Sequence, residues 1–141
     1  MIDIMKIFNQ KGAAAIEFAI ICPLLLTITF GIVEFGIICF DKATVTNAAR
    51  EGARAGIVYA DPEITDAEIE AVVDNYCKDH LVTFGATPST PVTQVLRTTE
   101  TFGQAVTVRV SYQYNYLVLP NFVGALSGNI ILSSETTMRK E

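Results

Sequence analysis

Apolar and polar positions follow three different rhythms along this chain. Phe18 to Val33 is a run without a charge, and beyond Glu34 the apolar character resumes to Phe40. A helix crosses a bilayer with ~20 mostly apolar residues, so Ala13 to Phe40 is long enough to span with some tilt. "DKATVTNAAREGARAGIVYA" follows with no breaker before Asp61–Pro62. One long helix is therefore predicted from about Ala13 to Val58, roughly 65–70 Å at 1.5 Å per residue. In its second half Ala48, Gly52 and Gly56 recur every four residues, as do Ala49 and Ala53. Such a face admits a close neighbour. In membranes it is an association motif, and the reading favoured here is packing against the chain's own sheet.

The second rhythm belongs to "DPEITDAEIEAVVDNYCKDHL". Thr65 and Glu68 have capping-box spacing, and Ile69, Val72, Val73, Tyr76 and His80 mark one helical face. The third is strict alternation in "AVTVRVSYQYNY". Val106, Val108, Val110, Tyr112, Tyr114 and Tyr116 lie on one side, with Thr107, Arg109, Ser111, Gln113 and Asn115 on the other. "VTQVLRTTET" and "NIILSSETTM" are the other strand candidates. Clean alternation predicts an antiparallel sheet with one wet face, its other face covered by the C-terminal half of the long helix. The expected fold class is α+β: one long N-terminal helix, a second short helix and a small antiparallel sheet of about three strands. Between the last strands, Phe122, Val123 and Leu126 form a short apolar turn that either meets a membrane or partner or is buried under the sheet.

Composition sharpens this picture at a few points. At 141 residues the chain is one domain plus attachments. Its mean hydropathy of +0.38 is concentrated in the oily run. From Asp41 onward the acidic residues outnumber the basic ones, which excludes a nucleic-acid footprint. No nucleophile has a nearby base, no metal-ligand spacing occurs, and no glycine loop could cradle a phosphate. No enzyme activity and no cofactor are expected. Cys22 and Cys39 lie in the oily run and Cys77 stands alone, so the soluble part has no internal disulfide framework and the thiols read as small buried hydrophobes. His80, the sole histidine, reads as a helix-end residue.

The oily run is too long for a cleaved secretory signal, and it lacks an A-x-A-like site after Phe40. A plain single-span anchor leaves Glu17 unexplained, because an ionisable group in lipid is expensive and marks function by default. Glu34, about 25 Å further along a helix, lies near the far interface. It either snorkels or meets a partner in another subunit. Arg50 and Arg54 are four apart and Glu51 is three from Arg54, so they can pair along the helix. A headgroup or another subunit is the alternative contact.

Lys6 and Lys11 precede Gly12, and Ala13, Ala14, Ala15, Ile16, Glu17 and Phe18 follow it. This order resembles the cleavage site of type IV prepilins. "GAAAIEFAIICPLLL", "FGIVEFG" and "NAAREGARAG" together are similar to the TadE-like family of pilus-assembly minor pilins, and "SSETTMRKE" resembles that family's C-terminal end. The specific resemblance covers roughly the first 50 residues. It implies a pilin-like fold with a cytoplasmic leader (1–12), a transmembrane half-helix (13–40) and an extracytoplasmic domain (41–141). It also implies cutting between Gly12 and Ala13 by a prepilin peptidase, with Glu17 and Phe18 serving cleavage and assembly. Pro23 removes a backbone donor and clashes with the carbonyl of Ala19, so a kink is expected there. The implied role is that of a minor pilin or pseudopilin in a tight-adherence (Flp-type) apparatus at the bacterial inner membrane. Its partners would be other minor pilins, the major pilin and platform proteins. An uncleaved membrane scaffold and an anchored binding module are the alternatives.

Overall fold

The unbroken pattern does form one long helix, and it begins earlier than expected. In the computed structural model α1 runs Ile2–Gly56, straight through Gly12 and Pro23. The model describes residues 2–84, 89–98, 104–118, 128 and 130–140, with side chains from residue 12 onward. A glycine inside a helix costs only about 1 kcal/mol against alanine, so Gly12 does not stop propagation from the residues before it. Near Pro23 two hydroxyls find carbonyls without leaving the helix: Thr27 Oγ1 donates to the Pro23 carbonyl (2.8 Å) and Thr29 Oγ1 to that of Leu25 (2.9 Å).

α1 is followed by α2 (Asp66–His80) and three strands, β1 (Val92–Arg97), β2 (Ala105–Tyr114) and β3 (Ile130–Arg139). The sheet order is β1-β2-β3 and both pairings are antiparallel, so the fold is α+β as the three rhythms predicted. The capping box at the start of α2 is present: Thr65 Oγ1 accepts from the Glu68 amide, and Glu68 Oε2 accepts from that of Thr65. At its end His80 stacks on Tyr76 and donates from Nδ1 to the Tyr76 carbonyl. Phe122, Val123 and Leu126, the apolar turn of the sequence, lie outside the described residues.

α1 has two zones. From Ala13 to Val33 its large apolar side chains, among them Phe18, Ile20, Leu24 and Ile32, are exposed all round. Among the described residues it is the helix long and apolar enough to cross a membrane. From Glu34 on, one face is buried against β2, β3 and α2: Glu34, Asp41, Val45, Ala48, Gly52 and Gly56 follow at helical spacing. The docked part therefore starts before Asp41, where hydropathy drew the boundary. Ile37 and Ile38 pack at the core margin, and hydropathy alone does not separate a side chain facing lipid from one facing a core.

The core lies between this helix layer and one face of the sheet. Val45, Ala48, Ala49 and Ala53 meet Ile69, Val73 and Cys77 of α2, Val106 to Tyr114 at alternate positions of β2, and Leu132 of β3. The small-residue face thus packs within the chain. A β-carbon added at Gly52 would lie 2.6 Å from Val73 Cγ2, and one at Gly56 would lie 2.8 Å from Val106 Cγ1. The opposite sheet face is wet, with Arg109 paired to Glu135 at 2.6 Å and the Thr107 and Thr137 hydroxyls bonded to each other. At the sheet end farthest from Glu34, Arg97 holds Asp66 and the Ile64 carbonyl, and Lys140 holds Glu63. These contacts tie the α1–α2 connection to β1 and to the chain segment after β3.

Candidate functional site

The candidate residues of α1 fall at two levels. At the lower level Ala13 and Glu17 are one turn apart and exposed. A side chain at Gly12 would meet nothing within 4 Å. The fold itself therefore places no demand for glycine there, and any such demand comes from outside the chain. Glu17 has no hydrogen bond or ion pair to the described side chains, and Phe18 beside it is 69% exposed. Among the described residues this carboxylate has no partner, and exposed aromatic and aliphatic groups flank it.

The upper level is a polar node beneath the sheet. Glu34 is 2% exposed. It accepts from the Tyr114 hydroxyl, from the Leu117 amide (3.0 Å) and from the Val118 amide (2.7 Å). The snorkelling role considered for Glu34 is corrected by this geometry: the carboxylate is buried within its own chain, and backbone N–H donors stabilise a charge there as water would. Tyr114 is inward on β2 by alternation, and its ring meets Tyr116 edge to face. Burial, and then the carboxylate of Glu34, push the Tyr114 phenol far above its ordinary range, so it stays a donor at all physiological pH values.

Two turns further on, Asp41 is fully buried. Its Oδ1 accepts from the Val82 amide at 3.1 Å, just past the end of α2, while Oδ2 has no partner among the described residues. Sequence reasoning missed this residue as a site. The signal was available, since positions 34 and 41 are in phase with Val45, Ala48 and Gly52. Burial raises the Asp41 pKa, and the Val82 N–H only partly offsets it. A carboxyl whose folded pKa is raised contributes stability below the unfolded value and loses it as pH rises through the folded value. The isosteric D41N variant keeps an acceptor for Val82. It is expected to match or exceed the parent in melting temperature near neutrality, and the difference should shrink as pH is lowered toward about 4. A pH-independent difference, followed by near-UV circular dichroism of the full chain in detergent, would contradict this. Cys77, beside Asp41, is pushed up to about 11 by burial and by Asp74 and Asp41, which removes it as a reactive thiolate. Cys39, in contrast, is exposed.

On the outward face of α1, Arg54 pairs with Glu51 through Nε (3.0 Å) and a second contact from Nη2, the intrahelical pairing that spacing predicts. Arg50 is exposed, with no ion pair among the described residues. Arg54 and Glu51 thus have a partner in the chain, whereas Arg50 keeps its charge available to another surface.

Residues 12–54 match the family described as TadE-like protein. The matched stretch opens at the glycine of the lower level, takes in Glu17, Pro23, Glu34 and Asp41, and closes at Arg54 inside the docked half of α1. No curated protein and no solved structure matches the chain.

Proposed function

We propose that this TadE-like chain is a structural component of a tight-adherence pilus apparatus, a minor pilin or pseudopilin. It is held in the inner membrane by the lower half of α1, with its sheet domain outside the cytoplasm. The observation that carries this reading is the division of one helix. Its first half exposes apolar side chains on every side, and its second half is a wall of the folded core. Within that division Glu17 lies five positions after Gly12, without a partner among the described residues. Cutting after Gly12 would make Ala13 an ammonium one turn from Glu17. Unit charges 4 Å apart attract by about 4 kcal/mol at an effective dielectric of 20, enough to offset holding a carboxylate near lipid. The amine is the chain's own or a neighbour's; in an assembly the neighbour's also recruits the next subunit. Pro23 is the point where the helix can loosen as a subunit leaves the bilayer. The working partners are a prepilin peptidase, other minor pilins, the major pilin and the platform proteins.

A second reading, an uncleaved membrane scaffold, draws on the continuity of α1 through Gly12 and Ala13, since a peptidase must unwind that turn to reach the bond. Intact mass of the protein extracted from membranes separates the two. Loss of everything up to Gly12 is expected for the pilin, and a retained leader would establish the scaffold.

A further inference from the structure

The direction of β2 along α1 is fixed by contacts at both ends. Gly56 lies against Val106 and Gly52 against Val108, while Glu34 bonds Tyr114. From Gly56 back to Glu34 the helix rises about 33 Å, and from Val106 to Tyr114 the strand covers about 27 Å. The two run nearly side by side in opposite directions, so the Tyr114 end of the sheet points toward the exposed apolar half of α1. That half, Ala13 to Val33, is about 32 Å long, matching a hydrocarbon core of about 30 Å. Glu34 follows at once. Whatever Glu34 holds is therefore level with the top of the span, and it holds Leu117 and Val118.

We propose that this end of the sheet, with Leu117, Val118 and Ile131 as its contacts, rests in the boundary between headgroups and acyl chains of the bilayer that α1 crosses. The proposal rests on the membrane-spanning reading of α1. Ile131 pairs with Gln113, one residue from Tyr114, and is 66% exposed on the wet face. Val92, on the same face opposite Ser111, is also exposed. No charged side chain occurs from Ser89 to Leu96, from Ser111 to Val118 or from Ile130 to Ser134. The Arg109–Glu135 pair, Arg139, Arg97 and Lys140 all lie toward the other end. The strands are thus graded along their length. Next to the span they carry uncharged side chains, with Val92 and Ile131 among Ser111, Gln113 and Ser133, and their charges lie away from it. Lys42 of α1 donates to the Ser133 carbonyl at the margin of this rim. Apolar side chains gain by entering the interfacial zone, whereas in water this rim would stay exposed.

The chain contains no tryptophan, so single tryptophans report depth. L25W in the span, I131W at the rim and L96W, on the same wet face about 20 Å further along the strands, replace exposed side chains. The full chain is reconstituted in phosphatidylcholine vesicles without brominated lipid, with lipids brominated near the headgroup, and with lipids brominated deep in the acyl chains. Loss of emission is expected for L25W with the deep bromines and for I131W with the shallow ones, with L96W unchanged by either. Full emission from I131W beside a quenched L25W would overturn the proposal and leave the span intact. A blue-shifted but unquenched I131W would mean that a second protein copy covers the rim, which also overturns it. Unquenched emission from both would remove the span, and the proposal with it.

Discussion

Glu34→Ala is expected to destabilise the folded domain by about 3 kcal/mol, because an unpaired buried donor costs about 1–3 kcal/mol and the variant strands several. The Tyr114 hydroxyl loses its acceptor inside the core. Leu117 and Val118, only part-buried, recover some hydration, and relief of the carboxylate's own desolvation returns a little more. In a domain of this size such a loss lowers the melting temperature by roughly 12–20 °C. Glu34→Gln keeps the shape but turns an amide NH2 toward donors, so an intermediate loss is expected. Hydrogen exchange gives the residue-level check. The Leu117 and Val118 amides should lose protection in both variants, while those of α2 change only with global stability. A melting temperature for Glu34→Ala within a few degrees of the parent would show that the node is not what fastens β2 to α1.

Gly52→Val is the second large effect, and it acts through crowding. The first added carbon already falls 2.6 Å from Val73 Cγ2 and 3.3 Å from Val108 Cγ1. Both neighbours are β-branched and stiff about χ1, so neither can swing away. Overpacking of this kind costs about 1–3 kcal/mol and occasionally more; at least 3 kcal/mol is expected here. Gly52→Ala should lose less, since alanine returns about 1 kcal/mol of helix propensity. Pairing it with Val73→Ala should recover part of the loss in a double-mutant cycle, because the two sites share one contact. Gly36→Ala is the control: a β-carbon there meets nothing within 4 Å, so it should be neutral or stabilising. Equal effects at positions 36 and 52, measured by chemical denaturation in the same detergent, would contradict close helix–sheet packing.

Local chemistry made much of this architecture readable. The Thr65–Glu68 cap, the alternation of Val106 to Tyr114 and the small residues of α1 each carry their partner's identity in their own spacing. The Glu51–Arg54 pair was equally legible, because its two ends are one turn apart. The upper polar node was not. Glu34 and its bonded Tyr114 are 80 positions apart, and nothing local distinguishes a carboxylate beneath a sheet from one snorkelling to a headgroup. Asp41 was hidden for the same reason, and its charge made it look like the first residue of a soluble domain. At Glu17 the spacing to Gly12 acquired meaning through family resemblance, since the fold gives that carboxylate no described partner. The early start of α1 was missed because the predicted helix was begun at Ala13 with the apolar run, although the helical penalty of Gly12 before it is small.

One continuous helix serves as both the buried wall of the domain and its exposed apolar stem, with Glu34 fastening the sheet where the two meet. No slack tether separates them, so the domain cannot swivel freely about its attachment. Tilting the stem above Pro23 would turn the head by the same angle, and an axial pull on the head would load the stem directly, as along a mast.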